Sequence, residues 1–432
     1  TVLTGASVSD ELDGELARAG LMKFRAPYQS NKSVRAGING GLIGYNDFHL
    51  SHLPMMLDRG VGPHIDFAVV ECSGITADGI IPAASVGATD CFVRNADKVI
   101  LELNQDLPDK LNGMHDIYTA GDTWVPIKCT SDRIGTSYIP CGADKIAAIV
   151  LTEDTGECPT FKDPDDMSLA LSENIVHFLK GEVAAGRQPK NLRPIQSGVG
   201  SVANAVLNGL QKDFFGLNMY TEVMQDSAFN LVGSGVITAA STTALSLSSQ
   251  AQRELYGNID FYKERIVIRS QEISNNPEVV RRLQLISMNT PIEVDIYGNV
   301  NSTHVMGTKI MNGIGGSGDF ARNAGLTIFS TGSLAKDGKI SCIVPMVSHV
   351  DHTEHDVDVI VTEYGVADLR WKTPRERAEF IIENCAHPNY RPMLREYFKE
   401  ACATVGGQTP HELSKALSWH VRYMETGTMM VK

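Results

Sequence analysis

The sequence predicts an α/β protein in which mostly parallel or mixed sheets are covered by helices. The first observation is an alternation of short β-branched runs with longer amphipathic stretches, a pattern typical of this fold class. The second is that several runs are almost continuously apolar, as in strands buried on both faces. The third is an acidic segment with two prolines, Thr152–Asp166, which has no apolar period. We therefore predict two domains, residues 1–152 and residues 166–432.

The composition excludes a disordered or fibrous chain, since 43% of the residues are hydrophobic and 21% are charged. The net charge is −13 and there is no basic run, which argues against nucleic-acid binding but allows a local site for an anion. No apolar stretch approaches the roughly 18 residues that span a membrane, so we expect no membrane partner. The eight cysteines have no regular spacing, which indicates free thiols in a reducing compartment.

The elements follow from the period of the apolar residues. The predicted strands, in chain order, are Ile65–Glu71, Lys98–Asn104, Lys145–Leu151, Arg265–Arg269, Ile292–Tyr297, Lys339–Met346 and Val357–Thr362. The predicted helices are Asp166–Gly186, Val202–Gln211, Pro277–Leu285, Pro374–Ala386, Arg391–Ala403 and His411–Glu425.

A first glycine loop lies in QSGVGSVANAV at Gln196–Val206, where Gly198 and Gly200 precede an apolar helix. A glycine loop that opens a helix presents free backbone N–H groups at the positive end of the helix dipole. It can hold a phosphate, or the oxyanion that forms on a carbonyl. A tight connecting turn is the favoured interpretation of a GxG pattern taken alone.

A second glycine loop is MNGIGGSGDF at Met311–Phe320. Gly313, Gly315 and Gly318 satisfy GxGxxG, but the residues before them do not form a convincing strand. The first loop fits a dinucleotide fingerprint better, because Ala203 completes GxGxxA and Glu222 follows at a suitable distance. Pro194 interrupts the strand that this fingerprint needs, so NAD binding is a minor alternative.

Glu222, in YTEVMQD, follows a short apolar run and is a candidate carboxylate nucleophile that faces a glycine loop. Most glutamates are solvated, and on the residues alone that interpretation is favoured for Glu222 and for Glu363. Glu293 and Asp295 alternate along a predicted strand and are expected to face solvent on one side. We therefore treat none of these acids as catalytic from its position alone.

Three histidines, His349, His352 and His355, lie in the acidic segment SHVDHTEHDVD. Their spacing suits a metal site on a helical face, but the segment lies between two strand patterns and is predicted to be a loop. A polar, hydrogen-bonded connection is therefore favoured, and we predict no metal.

Taken together, the segments closely resemble the acetyl-CoA hydrolase/transferase family. This is the branch of the class I CoA-transferases that includes succinyl-CoA:acetate and propionyl-CoA:succinate CoA-transferases. The resemblance covers nearly the whole chain, from LTGAS at Leu3–Ser7 to LSWH at Leu417–His420. Other matching segments are QSGVGSVANAV, YTEVMQD, QEISNNPEVVRRL, MNGIGGSGDFARNA and IVPMVSHVDHTEHDVDVIVTEYGVADLR. The resemblance implies two tandem open α/β domains with the active site between them.

The resemblance implies a role for each matching residue. Glu222 attacks the acyl-CoA thioester and becomes a glutamyl-CoA thioester. The backbone N–H groups of Val199 and Gly316 match the oxyanion hole, while Asn275 and Glu363 match residues that support the nucleophile and the substrate. Ser7 matches a serine near the acyl pocket. The positions that match CoA contacts are Gly198, Val199, Gly200, Ser201, Val202, Ile292, Asn312, Gly316 and Lys336.

The implied function is a ping-pong transfer of CoA between a short-chain acyl-CoA and a carboxylate such as acetate, propionate or succinate. CoA is then both substrate and part of the covalent intermediate, and no tightly bound cofactor is needed. A homodimer is implied, and we expect a cytoplasmic protein, with a mitochondrion or related organelle as the alternative. Three other functions stay open: an acyl-CoA hydrolase with the same nucleophile, a CoA-binding regulatory protein and, more remotely, an NAD-dependent oxidoreductase.

The chain departs from the family pattern in two places. Family members carry a glycine-rich unit before TGAS, so we expect that an N-terminal portion of the protein is missing here. Some members place an arginine near the active site in the connecting segment. Residues 152–161 contain no Arg or Lys, which leaves the partner of a substrate carboxylate open.

Overall fold

The computed structural model describes residues 1–7, 10–121, 123–153 and 164–431. It confirms the predicted α/β class. Its largest element is a nine-stranded sheet in which every neighbouring pair is parallel except the first. The strands lie in the spatial order Gly365–Asp368, Val359–Thr362, Leu326–Ser330, Ile286–Asn289, Ile195–Ser197, Leu217–Tyr220, Ile237–Thr242, Ile266–Arg269 and His115–Asp116.

The N-terminal half forms two smaller sheets. A three-stranded parallel sheet contains Val2–Ser7, Phe24–Gln29 and Gly44–Tyr45. A five-stranded mixed sheet has the order Ile139–Pro140, Gly79–Pro82, Ile65–Ile75, Ala96–Asn104 and Ile146–Thr152.

The two halves of the chain share the large sheet, because the strand His115–Asp116 from the first half forms its edge. A buried ion pair between Asp116 and Arg269 reinforces this junction. The predicted connection Thr152–Asp166 falls mostly at residues 154–163, outside the described residues. The division into residues 1–152 and 166–432 therefore stays a prediction.

Sixteen α-helices occur among the described residues. They are Glu15–Arg18, Lys32–Asn39, His52–Asp58, Thr89–Asn95, Asp166–Ala184, Ser201–Leu210, Asp226–Gly233, Ser249–Gly257, Ile259–Lys263, Gln271–Ser274, Pro277–Leu283, Ser317–Ala321, Pro374–Cys385, Arg391–Thr404, Leu413–Ala416 and Ser418–Thr426. None of those in the described part of the chain combines the length and the apolar character that a membrane crossing needs. The remaining short strands are Val223–Gln225, Ala244–Ser246, Glu293–Asp295, Val300–Asn301, His304–Val305, Lys309–Ile310, Leu334–Ala335, Ile340–Ser341 and Ile343–Val344.

The predicted elements exist with small shifts, apart from two that the structure divides. His411–Glu425 is two helices that meet at Leu417, and Lys339–Met346 is two short strands separated by Cys342. The larger omission is in the central sheet. Only two of its nine strands, Ile266–Arg269 and Val359–Thr362, were predicted. The central strands Ile195–Ser197 and Ile286–Asn289 were missed because both carry polar residues at their carboxyl ends.

The central strands position the site. In a parallel sheet, the carboxyl ends of the strands lie at one edge, and ligands bind there. At this edge a buried polar network replaces apolar packing. Ser287 Oγ donates to Gln196 Oε1 at 2.8 Å, and Asn289 Nδ2 donates to Ser287 Oγ at 2.8 Å. Because buried polar groups are stable when they are hydrogen-bonded, this network keeps polar side chains directly beneath the site.

Candidate active site

A cavity of about 190 Å³ lies at the carboxyl edge of the central strands. Its wall brings together the two glycine loops, the side chain of Glu222, and Tyr28 from the N-terminal half. The lining residues are Tyr28, Gln196, Ser197, Gly198, Val199, Glu222, Val223, Asn289, Thr290, Ser302, Asn312, Gly313, Ile314, Gly315, Gly316, Ser317 and Phe320. The predicted residues Glu222, Gly198, Val199, Asn312 and Gly316 therefore lie around one space.

The backbone of Glu222 is fixed on both sides of the residue. Its carbonyl accepts hydrogen bonds from the Thr243 N–H at 2.9 Å and from Thr242 Oγ1 at 2.8 Å. The preceding residue, Thr221, donates its hydroxyl to the carbonyl of Ser197 at 3.0 Å, which links this part of the backbone to the first glycine loop. These contacts fix the backbone of Glu222, and its side chain lines the cavity and is only partly exposed.

The Glu222 carboxylate has two hydrogen-bond donors. Asn275 Nδ2 donates to Oε2 at 3.0 Å, and the Gly316 N–H also interacts with the carboxylate. Burial raises the pKa of Glu222, and these two donors oppose that rise because they favour the charged form. A buried carboxylate with few donors is a stronger nucleophile than a solvated one, as covalent catalysis requires.

Asn275 lies where two short helices meet, and its side chain is held firmly. It is fully buried, and its Oδ1 accepts a hydrogen bond from Ser274 Oγ at 2.7 Å. The next residue, Asn276, caps the helix Pro277–Leu283 by accepting from the Glu278 N–H at 3.0 Å. This arrangement fixes which side of the Asn275 amide faces Glu222.

The first glycine loop is open toward the cavity. Gly198 N–H donates to the carbonyl of Met288 at 3.0 Å, and Gly200 N–H donates to Gln225 Oε1 at 3.2 Å. Between them, the Val199 N–H has no acceptor among the described residues, so it can serve a ligand. Ser201 and Val202 begin the helix Ser201–Leu210, whose N-terminus follows the loop.

The second glycine loop is held by the N-terminal half. Gly313 N–H donates to the carbonyl of Gln29 at 3.0 Å, and Ile314 N–H donates to Asp47 at 2.8 Å. Burial raises the pKa of Asp47 to about 7. Residues from the first 50 positions thus determine where Gly316 lies.

Several residues that the resemblance implies do not line the cavity. Glu363 accepts hydrogen bonds from the Ser333 N–H at 2.8 Å and from Ser333 Oγ at 2.5 Å. It follows the strand Val359–Thr362, four places from the strand before Glu222 in the sheet order. The structure therefore does not bring Glu363 into contact with Glu222, and its role stays a prediction.

Besides Asn275, which contacts Glu222, six other predicted positions lie outside the cavity wall: Ser7, Ile292, Lys336, and Gly200, Ser201 and Val202 of the first loop. Ser7 pairs with Gln29 across the first sheet, and the Ile292 N–H donates to the carbonyl of Asn301 at 2.8 Å. Lys336 lies in a turn at a left-handed φ of 52°. Their roles in acyl and CoA binding stay predictions.

The acidic pair on the strand Glu293–Asp295 was wrongly expected to face solvent, since both side chains are buried. Glu293 Oε2 lies 2.8 Å from the buried His420 Nε2, and Glu293 Oε1 accepts the Ser348 N–H at 2.8 Å. The strand belongs to a small sheet packed under the C-terminal helices. The alternating pattern of the strand sequence could not show this, because the polar partners of these acids come from other parts of the chain.

The three histidines of the predicted loop have separate partners. His349 lies 3.3 Å from Asp351, His352 is buried with its Nε2 3.2 Å from Ser317 Oγ, and His355 is exposed. The one cluster of metal-ligating groups in the described ranges is formed by other residues, the exposed His64, Asp66 and Asp97. In the described residues these three histidines do not form such a cluster, and the expectation of no metal stays a prediction.

Sequence reasoning missed residues that the N-terminal half and the second loop bring to the site. Tyr28 lines the cavity beside Gly313 and Gly315. Asp319 is buried and lies 3.4 Å from Asn275 Nδ2. For Asp319 the available signal was an acid directly after four closely spaced glycines. For Tyr28 the local sequence holds no signal.

Two family profiles match the chain. The acetyl-CoA hydrolase/transferase N-terminal domain matches residues 1–151, and the corresponding C-terminal domain matches residues 251–398. The chain is 55% identical to a succinyl-CoA:acetate CoA-transferase of Clostridium kluyveri, over 99% of this chain and 81% of that protein. It is 44% identical to a propanoyl-CoA:succinate CoA transferase of Escherichia coli, over 99% of this chain and 88% of that protein. It is 43% identical to an acetyl-CoA hydrolase of Schizosaccharomyces pombe, over 100% of this chain and 86% of that protein.

Solved structures share the fold. RipA from Yersinia pestis superposes with a TM-score of 0.67 at 22% identity, covering 87% of this chain and 81% of that one. The 4-hydroxybutyrate CoA-transferase of Porphyromonas gingivalis superposes with a TM-score of 0.64 at 22% identity, covering 92% of each chain. At this level of identity the superpositions establish the architecture alone.

Proposed function

Because the chain belongs to the acetyl-CoA hydrolase/transferase family, we propose that it moves CoA from a short-chain acyl-CoA to a carboxylate through a thioester on Glu222. The observation that supports this most directly is the position of the Glu222 carboxylate. It lies at the wall of a cavity, between two glycine loops, with donors from Asn275 and Gly316.

The proposed first half of the reaction begins when a Glu222 oxygen attacks the thioester carbonyl. The carbonyl oxygen becomes an oxyanion, which the N–H groups of Val199 and Gly316 stabilise. The Gly316 N–H contacts the Glu222 carboxylate in the free enzyme. This donor is released as the carboxylate loses its charge, so it can serve the developing oxyanion.

Collapse of this intermediate breaks the C–S bond and gives an acyl-glutamyl anhydride and CoA thiolate. The thiolate attacks the Glu222 carbonyl of the anhydride, and the substrate carboxylate leaves. Glu222 now carries CoA as a thioester. An incoming carboxylate reverses these steps, so electrons and atoms balance without any further reagent.

The long CoA molecule gives binding energy far from the reacting carbonyl, which can be used to orient that carbonyl. The open first loop and the N-terminus of the helix Ser201–Leu210 are suited to an anionic, extended ligand. We propose succinyl-CoA and acetate as the first substrate pair to test, since a relative of 55% identity is described by that activity.

The test is CoA exchange between succinyl-CoA and labelled acetate by the wild type and by Glu222→Gln and Glu222→Asp. We expect both variants to lose essentially all exchange, the second because a shorter side chain withdraws the nucleophile by about 1 Å. Glu264→Gln, at an exposed glutamate, is the matched control and should behave as the wild type. Exchange by Glu222→Gln within tenfold of wild type would exclude Glu222 as the nucleophile.

A second candidate function is acyl-CoA hydrolysis, which the 43% identical acetyl-CoA hydrolase of Schizosaccharomyces pombe favours. Water would then attack the anhydride or the glutamyl thioester, and Glu222 would have the same role. Measuring free CoA release with and without added carboxylate separates the two functions. A transferase releases little CoA without an acceptor, whereas a hydrolase releases it at the same rate in both conditions.

A further inference from the structure

We propose that Asp319 is a positioning residue that acts through Asn275 on the Glu222 nucleophile. This inference rests on the proposed function, because it assigns a second carboxylate to the same reaction. Asp319 lies in the first turn of the short helix Ser317–Ala321, directly after the second glycine loop. It does not line the cavity.

The Asn275 amide connects the two carboxylates. Its Nδ2 atom donates to Glu222 Oε2 at 3.0 Å and lies 3.4 Å from Asp319 Oδ2. Its Oδ1 atom is already occupied by the hydroxyl of Ser274. A primary amide has two N–H groups and one carbonyl, so every polar group of this side chain has a partner. A rotation of the amide by 180° would place its oxygen against both carboxylates, and Asp319 therefore helps to exclude that rotamer.

Asp319 is itself fixed by the N-terminal half. Ser51 Oγ donates to Asp319 Oδ1 at 2.6 Å, and the Ser51 N–H donates to Oδ2 at 3.1 Å. Only 3% of Asp319 is exposed. The chain of contacts thus runs from Ser51 through Asp319 and Asn275 to Glu222. Correct docking of the N-terminal half is in this way linked to the orientation of the nucleophile.

The two carboxylates also interact through their charge. Burial raises the pKa of Asp319 to about 7, and the negative charge of Glu222 contributes to this rise. Such coupling is reciprocal, so ionised Asp319 disfavours ionised Glu222. Acylation removes the charge of Glu222 and with it the repulsion. A neighbouring carboxylate therefore favours the acylated form of the nucleophile.

The other titratable groups near this pair differ in how they behave between pH 5 and 9. Tyr28 stays neutral because burial raises its pKa, and burial lowers the pKa of both His49 and His352. Asp47 has a pKa of about 7 as well, but it binds the Ile314 N–H and has no contact with Asn275. A variant of Asp47 can therefore separate its titration from that of Asp319.

The experiment measures the single-turnover rate of Glu222 thioester formation from succinyl-CoA between pH 5 and 9. In the wild type we expect the rate to fall toward low pH, along an acid limb that reflects protonation of both Glu222 and Asp319. Asp319→Asn should reduce the rate at pH 8 by roughly 10- to 100-fold, because the Asn275 amide loses its orientation. It should also move the acid limb to lower pH by about one unit, since the like charge is removed. The KM for succinyl-CoA should stay within about twofold.

Three further variants make the result specific. Ser51→Ala removes a hydrogen-bond donor to the Asp319 carboxylate but leaves that carboxylate in place. The titration of Asp319 in the pH–rate profile should therefore move to higher pH. Asp295→Asn changes another buried acid whose pKa burial raises to about 6 and which lies outside the site, and its pH profile should match the wild type. Asp47→Asn should keep the titration of Asp319 in the pH–rate profile, which Asp319→Asn removes.

A lower rate in Asp319→Asn with an unchanged pH profile would overturn the inference, since a merely structural role gives that result. If Asp319→Asn does not fold, an unshifted profile in Ser51→Ala would overturn it equally. Failure of the proposed function has a different signature, because the wild type itself would then form no thioester.

Discussion

The loop at Gly198–Gly200 and the loop at Gly313–Gly318 face the same carboxylate, yet their surroundings differ. In the first loop, a Cβ atom added at Gly200 would meet no atom within 4 Å, and one at Gly198 would meet Met288 O at 3.6 Å. Val199 between them is 57% exposed. Gly200 is required by its φ of 107° and not by crowding.

The second loop is crowded at almost every glycine. A Cβ atom at Gly316 would lie 1.9 Å from Glu222 Oε2, and one at Gly313 would lie 2.3 Å from the hydroxyl of Tyr45. A Cβ atom at Gly318 would lie 2.2 Å from the ring of His49. Here glycine permits close approach of Glu222 on one side and of the N-terminal half on the other.

The comparison shows that a run of glycines can mark two different functions. The first loop leaves space for a ligand, whereas the second packs against Glu222, Asn275 and the N-terminal half. We therefore expect glycine substitutions in the second loop to impair the chemical step, and glycine substitutions in the first loop, which leave the Val199 N–H in place, to impair ligand binding. The following four substitutions test this difference.

Gly316→Ala should have the largest effect. The new methyl group overlaps Glu222 Oε2 and also approaches Asn275 Nδ2 at 2.4 Å, so the nucleophile must move. A displacement of about 1 Å lowers a rate on the order of 100-fold, and we expect at least that loss in kcat. Activity within threefold of wild type in a folded variant, checked by thermal unfolding, would show that Gly316 does not lie this close to Glu222.

Gly318→Ala should reduce kcat by roughly tenfold, because overpacking against His49 separates the N-terminal half from the second loop. The double variant Gly318→Ala/His49→Ala should recover most of the loss, since the smaller side chain makes room. A double variant no better than Gly318→Ala would mean that the substitution acts elsewhere.

Gly200→Ala should destabilise the protein by about 1–2 kcal/mol, because a residue with a Cβ is strained at this φ. Unfolding in denaturant measures this change. We expect the KM for acyl-CoA to rise several-fold while kcat stays close to wild type. A large fall in kcat with an unchanged KM would show instead that Gly200 holds the Val199 N–H, the proposed oxyanion donor, in position for the chemical step.

Gly198→Ala should have the smallest effect on the free protein. Its new methyl group makes only ordinary contacts, so we expect stability within about 0.5 kcal/mol of wild type. Because Gly198 lines the cavity, the KM for acyl-CoA should still rise. An unchanged KM would indicate that acyl-CoA does not approach this part of the loop.

The fold class and the four longest helices could be predicted because apolar period and helix capping are local properties. Thr373 and Glu376 form a capping box, for example, and the helix Pro374–Cys385 lies where it was predicted. The central strand Ile195–Ser197 escaped prediction because Gln196 is buried by partners on a neighbouring strand, 91 residues later in the chain. No local pattern contains that information.

Glu222 and the two glycine loops could be placed at one site because the family resemblance includes all three segments. The residues that hold them could not, since Asp47 and Ser51 reach Ile314 and Asp319 across more than 260 positions. For the same reason Glu293 was wrongly expected at the surface. In each case the partner is set by tertiary structure.

The most direct test of the account is the mass of the peptide that contains Glu222 after incubation with succinyl-CoA alone, followed by borohydride. Borohydride reduces a glutamyl thioester to an alcohol, so we predict a mass loss at Glu222 that requires acyl-CoA and that excess free carboxylate suppresses. A Glu222 that stays unmodified while the same preparation exchanges CoA between carboxylates would contradict the covalent mechanism.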